Sequence, residues 1–432
     1  MTIYYLRTRP TERVPLGGVL LDWFGRGGSS TVSAEHRDLL RSGDVPDPLT
    51  LDLLRLAITV HSADKLDIRD DTRDCWTRSL QLRVAVSDPA RWRAGAPAFE
   101  RALKFLTNDA WSLRLRSDGD PGGPGTQLFA ADAVCLFSGG LDSLVGAIDL
   151  LEAGRRVLLV GHYDSNPLLP RQVNLFERLR DHYGLDRLAH RPFYLRHASP
   201  NARQARPLPS RRESTTRSRS FLFIAAAAVV ASAHGLDRIY MPENGYIGLN
   251  VPLEASRLGA CSTRTTHPHF MALLREAFDE VAIPIAIENP LRLKTKAEVL
   301  RDCRNPALLA RLAEDSVSCA HPEVGRWTGD PYRNCGYCYP CLMRRVSLHG
   351  LAADDAGRYR FDVGDPAFLA AGGSRTGHLR ALIANVLVAP RSSDALRSGP
   401  LPRAEAKEFV DLYLRGRAEI SAWLREAVPG SA

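Results

Sequence analysis

One stretch of thirty residues constrains the fold more than any other. Ala133 to Phe137 has the pattern of a short buried strand, Leu141 to Gly154 that of a helix, and Arg156 to His162 that of a second buried strand. Strand, helix and strand at this spacing form a βαβ unit with a parallel sheet. Between the first strand and the helix lies Ser138-Gly139-Gly140-Leu141-Asp142-Ser143. Two glycines let the backbone turn sharply and approach an anion, the N–H groups of the helix start donate to phosphate oxygens, and the hydroxyls of Ser138 and Ser143 add donors. Asp142 would be repelled by phosphate, so its expected role runs through a magnesium ion.

The remaining segments extend this unit. Phe221 to Ala233 reads as a helix and Arg238 to Met241 as a strand, which continues the sheet. Thr295 and Glu298 form a capping box that opens a helix in the segment LKTKAEVL. Residues 351–432 read as mostly helical, with Phe409, Leu412, Tyr413, Ile420, Trp423 and Leu424 at helical spacing. Upstream, Ile3 to Leu6 opens as a strand, Gly25 to Ser30 is glycine-rich, Leu49 to Val60 has helical periodicity, and Leu80, Leu82, Val84 and Val86 alternate as in a half-buried strand. The stretch SDGDPGGPGT, Ser117 to Thr126, has the composition of a loop joining two separately packed regions. The expected division is an N-terminal accessory unit over residues 1–128, a catalytic unit over 129–350 and a helical region over 351–432.

Fifty-seven basic against 49 acidic residues give +8, which favours anionic ligands without distinguishing nucleotide from nucleic acid. The longest apolar stretch, Phe221 to Ala231, is well short of the roughly 18 residues of a membrane span, so a cytoplasmic protein is expected. Four of the eight cysteines, Cys319, Cys335, Cys338 and Cys341, fall in one short segment, whereas Cys75, Cys135, Cys261 and Cys303 are scattered. Such clustering reads as metal binding rather than disulfides. Two residues separate Cys335 from Cys338 and Cys338 from Cys341, Gly336 permits the tight turn, and four thiolates so spaced can close a structural zinc site. Closely spaced cysteines also ligate iron–sulfur clusters, an alternative that colour distinguishes.

The string SGGLDS at the end of a buried strand matches the PP-loop signature of enzymes that cleave ATP between its α and β phosphates. It is not a Walker A loop, because the Gly-Lys-Ser/Thr ending is missing. The loop and the cysteine segment, in this order, resemble the QueC family, which converts 7-carboxy-7-deazaguanine to 7-cyano-7-deazaguanine with ATP and ammonia. Arg219 before Phe221, Leu222 and Phe223 looks like the family's arginine ahead of an apolar helix. ENPLRLKTKAEVL is similar to its PL-to-KAE segment, which makes Lys296 a nucleotide or phosphate contact, and the four cysteines with Arg344 look like its zinc knuckle. The resemblance spans roughly residues 131–350. It implies an α/β fold: a PP-loop (adenine nucleotide alpha hydrolase-like) parallel sheet with helices on both faces and a zinc knuckle; the strand and helix patterns upstream of it add an N-terminal α+β domain.

Two segments depart from the family. Its FDYGQ segment appears as GHYDSNP, in which the aromatic Tyr163 carries over as a nucleotide contact beside Asp164, and its GRN triplet appears as Ser218, Arg219 and Ser220. With its long additions at both ends, the chain resembles the enlarged QueC-like proteins of bacterial anti-phage systems, of the Qat (QatC-like) and CBASS-associated types. Glu243 and Asn244, following a strand, are candidates for recognising the polar edge of a deazaguanine. Seven arginines and one acid, Glu213, between Arg196 and Arg219 suggest a basic loop able to close over triphosphate. His162, His267 and His269 read as structural histidines.

The resulting expectation is an AMP-forming carbon–nitrogen ligase. ATP converts a carboxylate to an acyl adenylate, with magnesium and the loop orienting the α-phosphate, and an amine then expels AMP. Catalysis would rest on Ser138, Asp142, Ser143, Arg219 and Lys296, nucleotide binding also on Gly139, Gly140, Leu141 and Tyr163, and substrate binding on Glu243, Asn244 and Arg219. The amine acceptor is either a partner protein docked by residues 1–128 or ammonia. Also open are an RNA-modifying enzyme, against which stands the lack of a recognisable RNA-binding module, a nucleotide-sensing scaffold, and homo-oligomerisation.

Overall fold

The computed structural model describes residues 1–9, 12–15, 17–23, 31–34, 45–117, 129–163, 168–199, 206–253, 264–321, 324 and 333–428. The glycine-rich stretch Gly25 to Ser30, most of the 117–126 linker, Asp164 and Cys261 lie outside the described residues.

The N-terminal region contains β1 (Thr2–Arg7), β2 (Val19–Asp22), β3 (Val32–Ala34), α1 (Pro48–Leu66), β4 (Ser79–Val86), α2 (Pro89–Thr107) and β5 (Ala110–Ser117). Its four-stranded sheet has the order β2-β1-β4-β5, and every pairing is parallel. This differs from the expected α+β domain: α2 carries the chain from β4 to a parallel neighbour, so the unit is itself α/β. On β5, Trp111, Leu113 and Leu115 turn inward while Ala110, Arg114 and Ser117 are exposed, the alternation of a sheet covered on one face.

The second sheet is built from β6 (Ala133–Leu136), α3 (Leu141–Glu152), β7 (Val157–His162), α4 (Leu168–Tyr183), β8 (Leu188–Phe193), β9 (Leu195–His197), α5 (Arg219–Ala233), β10 (Arg238–Tyr240), α6 (Gly245–Gly248), α7 (Pro268–Val281) and β11 (Ala286–Glu288). Strand order is β11-β10-β6-β7-β8, all parallel, whereas β3 and β9 pair antiparallel outside it. Both faces are covered. Val134, Leu136, Leu158 and Val160 pack with α5 and α7, while Cys135, Phe137, Val157 and Leu159 pack with α3 and α4. The chain runs outward from β6 to β8 and then returns to β10 on the other side. The carboxyl end of β6 is therefore the topological switch point, where α/β sheets bind ligands.

Beyond β11 follow α8 (Lys296–Arg301), α9 (Pro306–Leu312), α10 (Tyr339–His349), α11 (Pro366–Ala371), α12 (Gly377–Leu387) and α13 (Ala406–Ala427). Both hydrogen bonds of the capping box at Thr295 and Glu298 form. Phe409, Leu412, Tyr413, Ile420, Trp423 and Leu424 are the buried stripe of α13, packed on the cysteine segment and α6.

Instead of two separately packed regions, one core crosses from the N-terminal sheet through α1 and α2 to α5, α7 and the second sheet. This explains why α5 is apolar all round: Phe221, Leu222, Ile224, Val229 and Val230 have no exposed surface, because α1 covers the side that the sheet does not. Helix α1 is likewise enclosed, with Leu53, Leu54, Leu56, Ile58 and Val60 at 0% exposure. Burial of each such side chain contributes about 2 kcal/mol. Removing residues 1–128 would strip this cover from α5 and α7, so such a truncation does not isolate a docking role. No helix among the described residues is long and apolar enough to cross a membrane.

Candidate active site

The loop after β6 is held in shape by its own backbone and by two neighbouring segments. Gly139 has φ +80°, a conformation that costs a side-chain-bearing residue free energy, and a Cβ there would also press on Gln172 Cγ at 3.2 Å. Gln172 Nε2 donates to the carbonyls of Ser138 at 3.2 Å and His162 at 3.1 Å, which ties the loop to the end of β7. The N–H of Val317 donates to Gly139 O at 2.9 Å. Ser138 and Ser143 hydroxyls lie 3.2 Å apart across the turn, and Gly140, the N-cap of α3, has no side chain to satisfy the helix's first N–H groups. Such an N-terminus is an anion site.

A pocket of ≈ 390 Å³ opens over this loop. It is lined by Ser138, Gly140, Leu141, Asp142 and Ser143, and by the expected Arg219, Glu243 and Lys296. Arg217, Arg264, Val317 and Ser318 also line it. A larger cavity of ≈ 970 Å³ between α9 and the segment after α10 shares only Leu141 with the loop, so the chemistry points to the smaller one.

The geometry gives three expected residues partners that the sequence did not announce. Asp142 is 9% exposed and lines the pocket, and its carboxylate accepts from Lys296 Nζ at 2.6 Å and from Asn244 Nδ2 at 2.7 Å. The carboxylate thereby anchors Lys296 at the pocket floor. Asn244 does not read a base: its amide is fully buried, with Nδ2 on Asp142 and Oδ1 capping α6 at Ile247 N, 3.0 Å. Tyr163 stacks on Tyr194 with centroids 5.1 Å apart and is not among the lining residues.

Glu243 does face the pocket. Burial, with the charge of Asp142 nearby, pushes its carboxyl up to about 7 although Thr266 Oγ1 donates to it at 2.7 Å. A carboxyl poised there can accept or give a proton near neutral pH. Burial holds His162 and His267 well below the usual histidine range, hence neutral, and His267 caps α7.

The four cysteine sulfurs lie within 4.8 Å of one another, with Cys335 and Cys341 Sγ 3.8 Å apart. Tetrahedral zinc, at about 2.3 Å from each sulfur, needs an S–S edge of about 3.8 Å, so the group fits the metal. The chain supplies the surrounding donors: backbone N–H groups of His321 and Cys335 point to Cys319 Sγ, that of Cys338 to Cys335 Sγ, and that of Ala320 to Cys338 Sγ, at 3.3 to 3.4 Å. Gly336, at φ +89°, makes the knuckle turn, and a Cβ there would meet Phe361 O at 2.2 Å. Cys319 directly follows Val317 and Ser318, and buried Arg344 donates to Ser316 Oγ at 2.6 Å and Ala313 O at 2.5 Å. The knuckle thus fixes the wall that backs the loop.

Sequence reasoning missed Arg264 and the Val317–Ser318 wall, and it did not single out Arg217 within the basic run. Arg217 was one of seven arginines in the basic run, and nothing local separates it from its neighbours; only the fold does.

A doubly wound parallel sheet with SGGLDS at its switch point defines a PP-loop protein of the nucleotide-binding α/β class. The family model for queuosine biosynthesis protein QueC matches residues 132–352, half of the chain, and the chain belongs to that family. No curated protein matches it. Membership points to an ATP-using enzyme acting on a deazapurine, with the cysteine cluster suggesting zinc.

Two predictions follow from this geometry. Asp142→Ala leaves Lys296 as an unpaired buried ammonium, so unfolding stability drops by about 3 kcal/mol in denaturant titration and ATP turnover is lost. Unchanged stability would contradict the ion pair. Metal analysis of the purified, colourless protein gives one zinc per chain, and both a strong chelator and Cys338→Ser lower the melting temperature by several degrees. Iron with sulfide, or no metal, contradicts the zinc assignment.

Proposed function

We propose that the chain activates the carboxylate of 7-carboxy-7-deazaguanine, or a similar deazapurine acid, with ATP, and transfers the acyl group to an amine with release of pyrophosphate and then AMP. The observation that carries this reading is the SGGLDS loop at the switch point, with Lys296 and Arg219 in the same pocket of a QueC-family chain. The carboxylate oxygen attacks the α-phosphorus, the bond to the β-phosphate oxygen breaks, and the amine nitrogen then attacks the acyl carbon and displaces AMP. Loop N–H groups, Lys296 and Arg219 offset the charge on the phosphates and on departing pyrophosphate. Glu243, with its raised pKa, is suited to recognise the N–H edge of the base or to take the proton that the amine loses.

The acceptor we propose is a partner protein, in the setting of anti-phage defence; what supports this is the long additions that flank the QueC match at residues 132–352. The test supplies full-length protein with MgATP, 7-carboxy-7-deazaguanine and either ammonia or candidate proteins, and follows products by mass spectrometry. AMP formed only with the acid, together with a protein adduct, is the expected result. AMP with free nitrile and no labelled protein replaces the conjugation reading with nitrile synthesis from ammonia. ADP as the nucleotide product would overturn the AMP-forming mechanism.

A further inference from the structure

The carboxyl end of α2 reaches the rim of the nucleotide pocket, where its last turn has backbone carbonyls without intrahelical partners and the negative end of the helix dipole. Two arginines occupy it. Arg217 Nη1 donates to Thr107 O at 2.8 Å, and its guanidinium carbon stands 4.3 Å from the centroid of the Trp76 ring. Arg264 Nη1 donates to Phe105 O at 2.7 Å, with its guanidinium carbon 4.4 Å from the Phe105 centroid. Phe105, Thr107 and Trp76 all belong to the N-terminal region, yet both arginines line the pocket over SGGLDS. Arg264 Nε is buried and makes no hydrogen bond among the described residues.

The segment carrying Arg217 is pinned by the same region. Asp64 accepts from Ser218 N and Oγ, both at 2.8 Å, and is itself gripped by Arg78 and Arg69, which also bind Asp109 at the end of α2. Burial alone would raise the Asp64 carboxyl, but these two arginines hold it down at about 2, so it stays an anion. Lys65 Nζ donates to Glu213 O at 2.6 Å and the Arg69 N–H to Glu213 Oε2 at 3.0 Å.

With Arg219, three guanidinium groups line the pocket among the described residues, and of the lining acids there Asp142 is paired with Lys296. We propose that Arg217 and Arg264 bind an oxyanion of the substrates, and that the N-terminal layer completes the active site by holding them over the loop. This rests on reading the pocket as the nucleotide site. The shared ligand chemistry is a multi-oxygen anion, either the triphosphate of ATP or the carboxylate to be activated. Guanidinium donors in a fixed fork suit both.

The test uses the full chain and measures binding of ATP, of inorganic pyrophosphate and of 7-carboxy-7-deazaguanine by calorimetry. Arg217→Met and Arg264→Met each weaken at least one probe about tenfold, the loss expected for one charge-assisted hydrogen bond, with the melting temperature within a few degrees of wild type. Arg217→Lys and Arg264→Lys, which keep the charge and guard against misfolding, recover part of the loss. Trp76→Leu, which removes only the shelf under Arg217, raises KM for the same ligand and leaves kcat unchanged. Losses confined to ATP and pyrophosphate assign the pair to the triphosphate; losses confined to the deazapurine assign it to the carboxylate. Wild-type binding that neither methionine variant alters overturns this inference alone. A wild-type chain that binds none of the three probes overturns the nucleotide-site reading as well.

Discussion

The pocket depends on one buried ion pair. Asp142 stands in the first turn of α3, Lys296 opens α8, and Asn244 caps α6, so their contacts join three elements at the loop's floor. Neither charge is tolerable there alone: an unpaired buried carboxylate or ammonium costs several kcal/mol, and the attraction repays that only when geometry is good and remaining donors are satisfied. The consequence is that Lys296 cannot drift. Its ammonium is fixed beside the phosphate loop by a residue of the loop's own motif, while α13 braces the far side of α8 through Arg415 on Glu298 and Glu419 accepting from Thr295.

Around this floor, three walls come from distant parts of the chain. The cysteine knuckle sets Val317 and Ser318 behind the loop, and the hydrogen bond from Val317 to Gly139 makes knuckle and loop a single unit. The helix α5 brings Arg219 and Ser220 to one side. The end of α2 holds Arg217 and Arg264 on the other, and the core shared by α1, α2, α5 and α7 joins that wall to the sheet. The cysteine cluster and the N-terminal layer thus both set the positions of residues that line the pocket.

The sequence made the second sheet legible because each signal there was local. Buried strands flanking SGGLDS, the capping box at Thr295 and the spacing of Cys335, Cys338 and Cys341 each report a structure made by neighbours in the chain. What was not legible depends on long-range packing. The pairing of Asp142 with Lys296 was hidden because the partner is 154 residues away. Asn244 looked like a base reader because its cap and its bond to Asp142 arise only in the fold. The N-terminal unit looked separate because a Gly- and Pro-rich linker carries no information about whether the cores on either side meet. Its parallel sheet was hidden for a similar reason, since β1 and β4 are partners across more than seventy residues.

The most direct measurement is a crystal structure of the full-length chain with a non-hydrolysable ATP analogue. The account predicts phosphates seated on the N–H groups of Gly139 to Ser143, with Lys296 still bound to Asp142 and Arg217 or Arg264 reaching an oxygen of the triphosphate or facing the position of the acid. A nucleotide bound outside this pocket, in the larger cavity beside α9 for example, would contradict it.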